Sequence, residues 1–118
     1  LRYIGFGGMG HQVRDCLHPD DLLALVLRQM SCDAADADVP RVVNVGGGAA
    51  SAMSLRQLSA WCEAEFGPRE VRCDASPRLF DLPWVVLDAR RAQEVWGWKP
   101  ARTTPQICEE IASHARSH

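Results

Sequence analysis

The stretch Gln12-Val13-Arg14-Asp15-Cys16-Leu17-His18-Pro19-Asp20-Asp21-Leu22 changes character within one residue. Up to His18 the apolar positions Val13, Cys16 and Leu17 suit an extended segment. Pro19 then suits a first helical turn, Asp20 and Asp21 fall at the positive end of the helix dipole, and Arg28 falls near its negative end. The pattern predicts a helix over 19–30. Its middle, Leu22-Leu23-Ala24-Leu25-Val26-Leu27, is apolar nearly all the way round, the mark of a helix buried on more than one side. A chain of 118 residues offers little material to cover so much apolar surface.

Working outward, 1–6 reads as a strand that runs into a glycine cluster, and 31–40 as a polar, acidic surface loop. The β-branched run 41–45 predicts a strand ended by Gly46-Gly47-Gly48. Ser54 with Gln57 three residues on forms a capping box for a second helix, with an apolar stripe of Leu55, Leu58, Trp61, Cys62 and Phe66 and a stop at Gly67-Pro68. Short strands are expected over 70–74 and 83–87, then a helix capped by Asp88 and closed by Gly97. Thr104-Pro105 opens a last helix with Ile107, Ile111 and Ala115 on one face. Four helices alternating with short strands indicate an α/β class, or α+β for the piece taken by itself.

Two glycine clusters invite a nucleotide reading. Gly5, Gly7 and Gly10 satisfy G-x-G-x-x-G, which carries meaning only where a helix opens directly after it. Here an extended pattern follows, so a hairpin or loop is expected instead. Gly46-Gly47-Gly48 has a strand before it and a helix after it, but the helix cap at Ser54 lies well beyond the glycines. The expected role is a turn between a sheet edge and a docking helix.

Reactive constellations are sparse. The only tyrosine, Tyr3, has Gly7 four residues on; the only lysine, Lys99, has Val95 four residues before it. No Tyr-x-x-x-Lys pair exists to pass a proton in hydride chemistry. His11, His18, His114 and His118 show no metal-ligand spacing. Cys16 two residues from His18 reads as a core thiol beside a hydrogen-bonded, helix-flanking His, and the terminal histidines as solvated. No catalytic, cofactor-binding or metal-binding residue is therefore expected in this chain. The five cysteines are odd in number and contain no CxxC; Cys16, Cys62 and Cys108 sit in apolar patterns and read as reduced core thiols of a cytoplasmic protein.

Composition is that of an ordinary soluble chain, 47% hydrophobic and 24% charged with a formal net charge of −2, which excludes nucleic acid and acidic membrane as partners. The longest apolar run is too short to span a bilayer. Of the 13 basic residues all but Lys99 are Arg. Two arginines stand beside acids in suggestive places: Arg14-Asp15 before a helix start, and Arg78-Leu79-Phe80-Asp81 in a proline-flanked loop. Arg can grip a diphosphate while Asp accepts from a ribose hydroxyl. A plain structural Arg–Asp pair is the other reading. The chain begins at Leu1, inside an expected strand, and so reads as a piece of a longer protein.

Five segments in order resemble one family. The run from Gln12 to Leu22 is similar to the Arg-Asp-x-x-His-Val-x-Asp-Leu segment of the extended short-chain dehydrogenases, the NAD-dependent sugar-nucleotide epimerases and dehydratases. Asn44-Val45-Gly46-Gly47-Gly48 resembles their Asn-x-Gly-Gly-Gly turn, with Ser54-Leu55 as the next helix start. Arg78-x-x-Asp81 resembles their Arg-x-Gly-Asp substrate loop; Leu87-Asp88, Ala92 and Gly97-Trp98-Lys99-Pro100 resemble the closing segments. Ile4-Gly5-Phe6-Gly7-Gly8 with the Arg14 segment is most similar to the branch containing CDP-paratose 2-epimerase.

The resemblance implies a single C-terminal substrate-binding region over 1–118. Within it, 19–46 would pack on an absent Rossmann sheet and 54–118 would form the substrate subdomain. It implies that Arg14 and Arg78 contact the diphosphate of a CDP- or UDP-sugar and that Asp81 reaches the ribose or base. NAD and the isomerase chemistry belong to the intact parent, and this piece is silent alone. Phe80 stands where many members carry Gly, and Arg91 where Lys is common. An uncovered helix and strand edge would drive homo-oligomerisation or strand exchange. The rival readings are a stand-alone nucleotide-diphosphate-binding module and a small interaction domain without activity.

Overall fold

The structure is a computed structural model and describes residues 1–32 and 39–117. The chain divides into two compact units, one of residues 1–14 with 53–85 and one of residues 15–52 with 86–118. Most of the expected loop at 31–40, and His118, lie outside the described residues.

In the first unit β1 (Arg2–Ile4) pairs in parallel with β4 (Arg72–Asp74), Tyr3 opposite Cys73. β2 (Val13–Asp15) pairs in parallel with β5 (Trp84–Val85), and β3 (Ala52–Ser54) lies on its other side, giving the order β3-β2-β5. Helix α2 (Leu55–Phe66) starts on the expected capping box: the Ser54 hydroxyl accepts from the Gln57 N–H, and the Gln57 amide oxygen accepts from the Ser54 N–H. Its N-terminus is also tied down where the Leu55 and Arg56 N–H groups donate to the carbonyls of Gln12 and Gly10. The α2 stripe buries none of its residues; Trp61 and Phe66 meet edge to face at 6.0 Å.

The second unit carries α1 (Pro19–Met30), α3 (Arg90–Trp96) and α4 (Thr104–Arg116). His18 is the α1 N-cap, its Nδ1 accepting from the Asp20 N–H at 3.1 Å. That bond fixes the tautomer, because an accepting Nδ1 carries no proton and leaves Nε2 to donate to Glu110 Oε2 at 2.9 Å. The core gathers Leu25, Ala92, Trp96 and Trp98, with Leu17, Val43 and Val45 packed against it. Asp21 is buried yet fully engaged: its two carboxylate oxygens accept from the Ala101 and Arg102 N–H groups, both at 3.0 Å, and its carbonyl accepts from Trp98 Nε1 at 2.7 Å. Gly97 closes α3 in the left-handed region at φ +59, and the Arg28 guanidinium satisfies the freed carbonyls of Trp96 and Gly97. The Gly-Trp-x-Pro segment is thereby a clamp between α1 and α3.

Four expectations need correction. The segment 41–45 alternates as a strand does, Val43 and Val45 inward and Val42 outward, but no ladder forms there, since no described neighbour offers it a partner. The buried face of α4 is Thr104, Cys108 and Ala112, with Ile111 exposed. The small side chains go inward because they allow close approach; the Thr104 hydroxyl donates to the Ser51 carbonyl at 2.7 Å. Asp88 supports α3 from one residue before the cap, which is Ala89: its Oδ1 accepts from the Arg90 N–H at 3.0 Å. The Arg90 side chain and then the Arg90 backbone hydrogen bond hold the Asp88 carboxyl below its ordinary value. Of the cysteines expected in the core only Cys108 is buried; Cys16 and Cys62 are half-buried.

The apolar helix α1 turns one residue, Leu25, fully inward and leaves Leu22, Leu23, Val26, Leu27 and Met30 exposed, the last at 77%. Among the described residues no helix is long and apolar enough to cross a membrane.

Candidate functional site

The first unit brings the sequence-predicted residues Arg14, Arg78 and Asp81 to one place, the turn that leaves β1. Gly5 occupies φ +79, where L residues are strained. A side chain there would also collide, because an added Cβ would lie 2.8 Å from Asp81 Oδ2, 3.5 Å from Gln12 Nε2 and 3.7 Å from Arg78 Cγ. Gly5 is the floor on which the Arg78–Asp81 loop and Gln12 meet.

Asp81 is held from two sides. Its Oδ1 lies 3.6 Å from Arg14 Nη2, and its Oδ2 accepts from Gln12 Nε2 at 3.2 Å. Its side chain is only 9% exposed, whereas that of Arg14 is half-exposed. The Arg14 Nη1 donates to the Val13 carbonyl at 2.6 Å, which aims the guanidinium and leaves most of its five N–H donors uncommitted. Arg78 is exposed and has no ion-pair partner among the described residues. The loop that carries it closes with the Asp81 N–H donating to the Arg78 carbonyl at 3.4 Å. Phe80, inside that loop, adopts φ +59 with its ring 93% exposed, so the backbone keeps the conformation that a glycine would take. The Arg14 guanidinium thus lies beside a nearly buried carboxylate, and the Arg78 side chain leaves the same loop with its Cγ over Gly5. Such a set grips an anion on one side and accepts from a hydroxyl on the other.

Sequence reasoning missed Gln12. It is 3% exposed and links Ile4, whose carbonyl accepts from Nε2 at 2.7 Å, to Asp81. Nothing in the local sequence signals it, since the strand that Gln12 precedes, Val13-Arg14-Asp15, is itself mostly polar.

The Arg14-Asp15 pair divides. Asp15 turns into the second unit, where its Oδ2 accepts from the Gly48 N–H at 2.9 Å and from the Leu87 N–H at 3.4 Å. The protein's own carboxylate therefore sits where a phosphate would have to lie against Gly46-Gly47-Gly48. An added Cβ at Gly46 would strike that carboxylate and one at Gly47 the Cys16 carbonyl, so these glycines serve close packing. The earlier cluster is no better suited: a short 3₁₀ turn (Phe6–Gly8) follows Gly5, and β2 comes before any helix. Gly8 abuts the Asp74 backbone and Gly10 abuts the Tyr3 ring. Neither glycine cluster is shaped to cradle a dinucleotide's pyrophosphate. A groove of about 340 Å³ in the second unit is lined by Arg102, Gln106, Glu109, Glu110 and Ser113. Arg102 is already paired with Glu110 and Asp20, so the groove offers a phosphate no free cation. Among the described residues no group of His, Cys, Asp and Glu is arranged to hold a metal.

No family model matches the chain, and no curated protein does. Solved structures do. MoeE5 in complex with UDP-glucose and NAD matches over 97% of this chain and 36% of its own, at 25% identity and a TM-score of 0.73. The UDP-glucuronic acid 4-epimerase of Bacillus cereus, in complex with UDP-glucuronic acid and NAD, matches over 97% and 34%, at 16% identity and a TM-score of 0.76. The UDP-glucose 4-epimerase of Thermotoga maritima, with UDP-glucose, matches over 97% and 35%, at 23% identity and a TM-score of 0.73. The fold is that of part of a nucleotide-sugar epimerase. The chain spans about a third of the length of the structures it matches.

Proposed function

We propose that this chain is the nucleotide-sugar-binding portion of an NAD-dependent sugar-nucleotide epimerase or dehydratase, and that it performs no chemistry alone. The observation that carries the reading is the convergence of Arg14, Arg78 and Asp81 over Gly5. In this reading Arg78 and Arg14 bind the diphosphate of a CDP- or UDP-sugar, and Asp81 accepts from the nucleoside. Support comes from the fold shared with proteins whose structures hold UDP-sugars. NAD and the proton-transfer pair reside in the remainder of the parent, since Tyr3 and Lys99 cannot form one. The exposed face of α1 packs there against the sheet of the cofactor domain.

Calorimetric titration of the chain with CDP and UDP tests this. Binding is expected to weaken at least about tenfold in Arg78→Ala, the loss of one charge-assisted contact to phosphate. Absence of binding to either nucleotide, or binding indifferent to Arg78, would contradict the reading.

A further inference from the structure

Gln12 has an arrangement that stability by itself does not explain. The side chain is buried, and both of its donor bonds run to atoms that are acceptors only: the Ile4 carbonyl at 2.7 Å and the Asp81 carboxylate at 3.2 Å. The amide orientation is therefore determined, since turning it over would set its oxygen against two oxygens. The same orientation strands the Gln12 Oε1, which is buried with no hydrogen-bond partner among the described residues. An unmet buried acceptor opposes folding. An apolar side chain of equal length would remove that unmet acceptor but would leave the Ile4 carbonyl and Asp81 Oδ2 without this donor. What the amide does uniquely is fix the Asp81 carboxylate. With Gln12 on Oδ2 and Arg14 by Oδ1, the carboxylate cannot rotate to face either arginine with both oxygens.

A carboxylate held in this way accepts and does not donate, so the ligand group it reads must be a donor. In a nucleoside diphosphate the donors nearest the phosphates are the ribose hydroxyls. Resting on the nucleotide-sugar reading above, we infer that Gln12 is a positioning residue that sets Asp81 to accept from a ribose hydroxyl, and so makes the site select ribose over a sugar without hydroxyls. Gln12 itself touches no ligand; it acts through Asp81.

The test measures selectivity, which a merely structural role would not move. The 118-residue chain is titrated with UDP and with 2′,3′-dideoxyuridine diphosphate. The unaltered chain is expected to prefer UDP by about tenfold, one charge-assisted hydrogen bond. Gln12→Met is expected to bring UDP affinity down to that of the dideoxy compound and to leave the latter unchanged within about twofold, while its melting temperature falls because two acceptors lose their donor. Arg78→Ala should weaken both ligands equally and keep the preference. Gln12→Glu provides a second variant of native shape. It should lose the preference at pH about 8 and regain it at pH about 5, where a proton shared between two neighbouring carboxylates restores the bond. Retention of the preference in Gln12→Met, or in Gln12→Glu at the higher pH, overturns the inference and leaves the binding reading standing. Failure of the unaltered chain to bind either UDP or CDP overturns both.

Discussion

Phe80 shows how much a single backbone angle can decide. At φ +59 it occupies the left-handed region, and its ring makes no compensating burial, being 93% exposed. The strain of a bulky residue there is on the order of 1–2 kcal/mol, against roughly 0.5–1 kcal/mol that glycine costs through the unfolded chain. Phe80→Gly should therefore stabilise the protein by up to about 1 kcal/mol in urea denaturation while leaving nucleotide affinity unchanged. A loss of stability would show that the ring packs against something outside these residues. Resemblance pointed to this position, because a Gly-like loop can be recognised in Arg78-x-x-Asp81 even when the glycine is absent. Gln12 was not visible in the same way. Its partner Asp81 is 69 residues away, and nothing local in a Gln before Val13-Arg14 announces a bond across that separation.

At the scale of elements, what is local was legible and what needs a neighbour was not. The Ser54–Gln57 capping box and Gly97 at the end of α3 each close a bond within a few residues, Pro19 at the first turn of α1 needs none, and each sits where the pattern places it. The α4 face was misread because hydrophobicity ranks Ile107 and Ile111 above Thr104, Cys108 and Ala112, whereas close packing prefers the smaller set. The run 41–45 has the alternation of a strand, but pairing depends on a sheet that these residues do not supply. Asp21 is a further case: as the third residue of an acidic helix start it looks like a dipole partner, yet it anchors the 98–102 segment through two backbone N–H groups. Asp21→Ala would leave both part-buried donors without this acceptor. The expected cost is about 2–3 kcal/mol, read as a lower urea midpoint, and more than a lost dipole contact alone would give. A change below about 1 kcal/mol would assign Asp21 the dipole role only.

For the whole molecule, the exposed face of α1 is the main debt left by the fold. Leu22, Leu23, Val26, Leu27 and Met30 present a continuous apolar strip to solvent, and such strips are covered in stable proteins by a partner or by another domain. The isolated chain should self-associate in sedimentation velocity, with the Leu23→Glu, Leu27→Glu double variant reverting to monomer; a wild-type chain that stays monomeric at high concentration would contradict this. The chain spans about a third of the length of the structures it matches, and the part proposed for it is a grip on the nucleotide. That grip is the central claim, and amide chemical-shift mapping during a UDP titration tests it most directly. The account predicts saturable shifts clustered at Gly5, Gln12, Arg14, Arg78 and Asp81, suppressed in Arg78→Ala. Shifts confined to the Arg102–Ser113 groove, or no shifts at all, would contradict it.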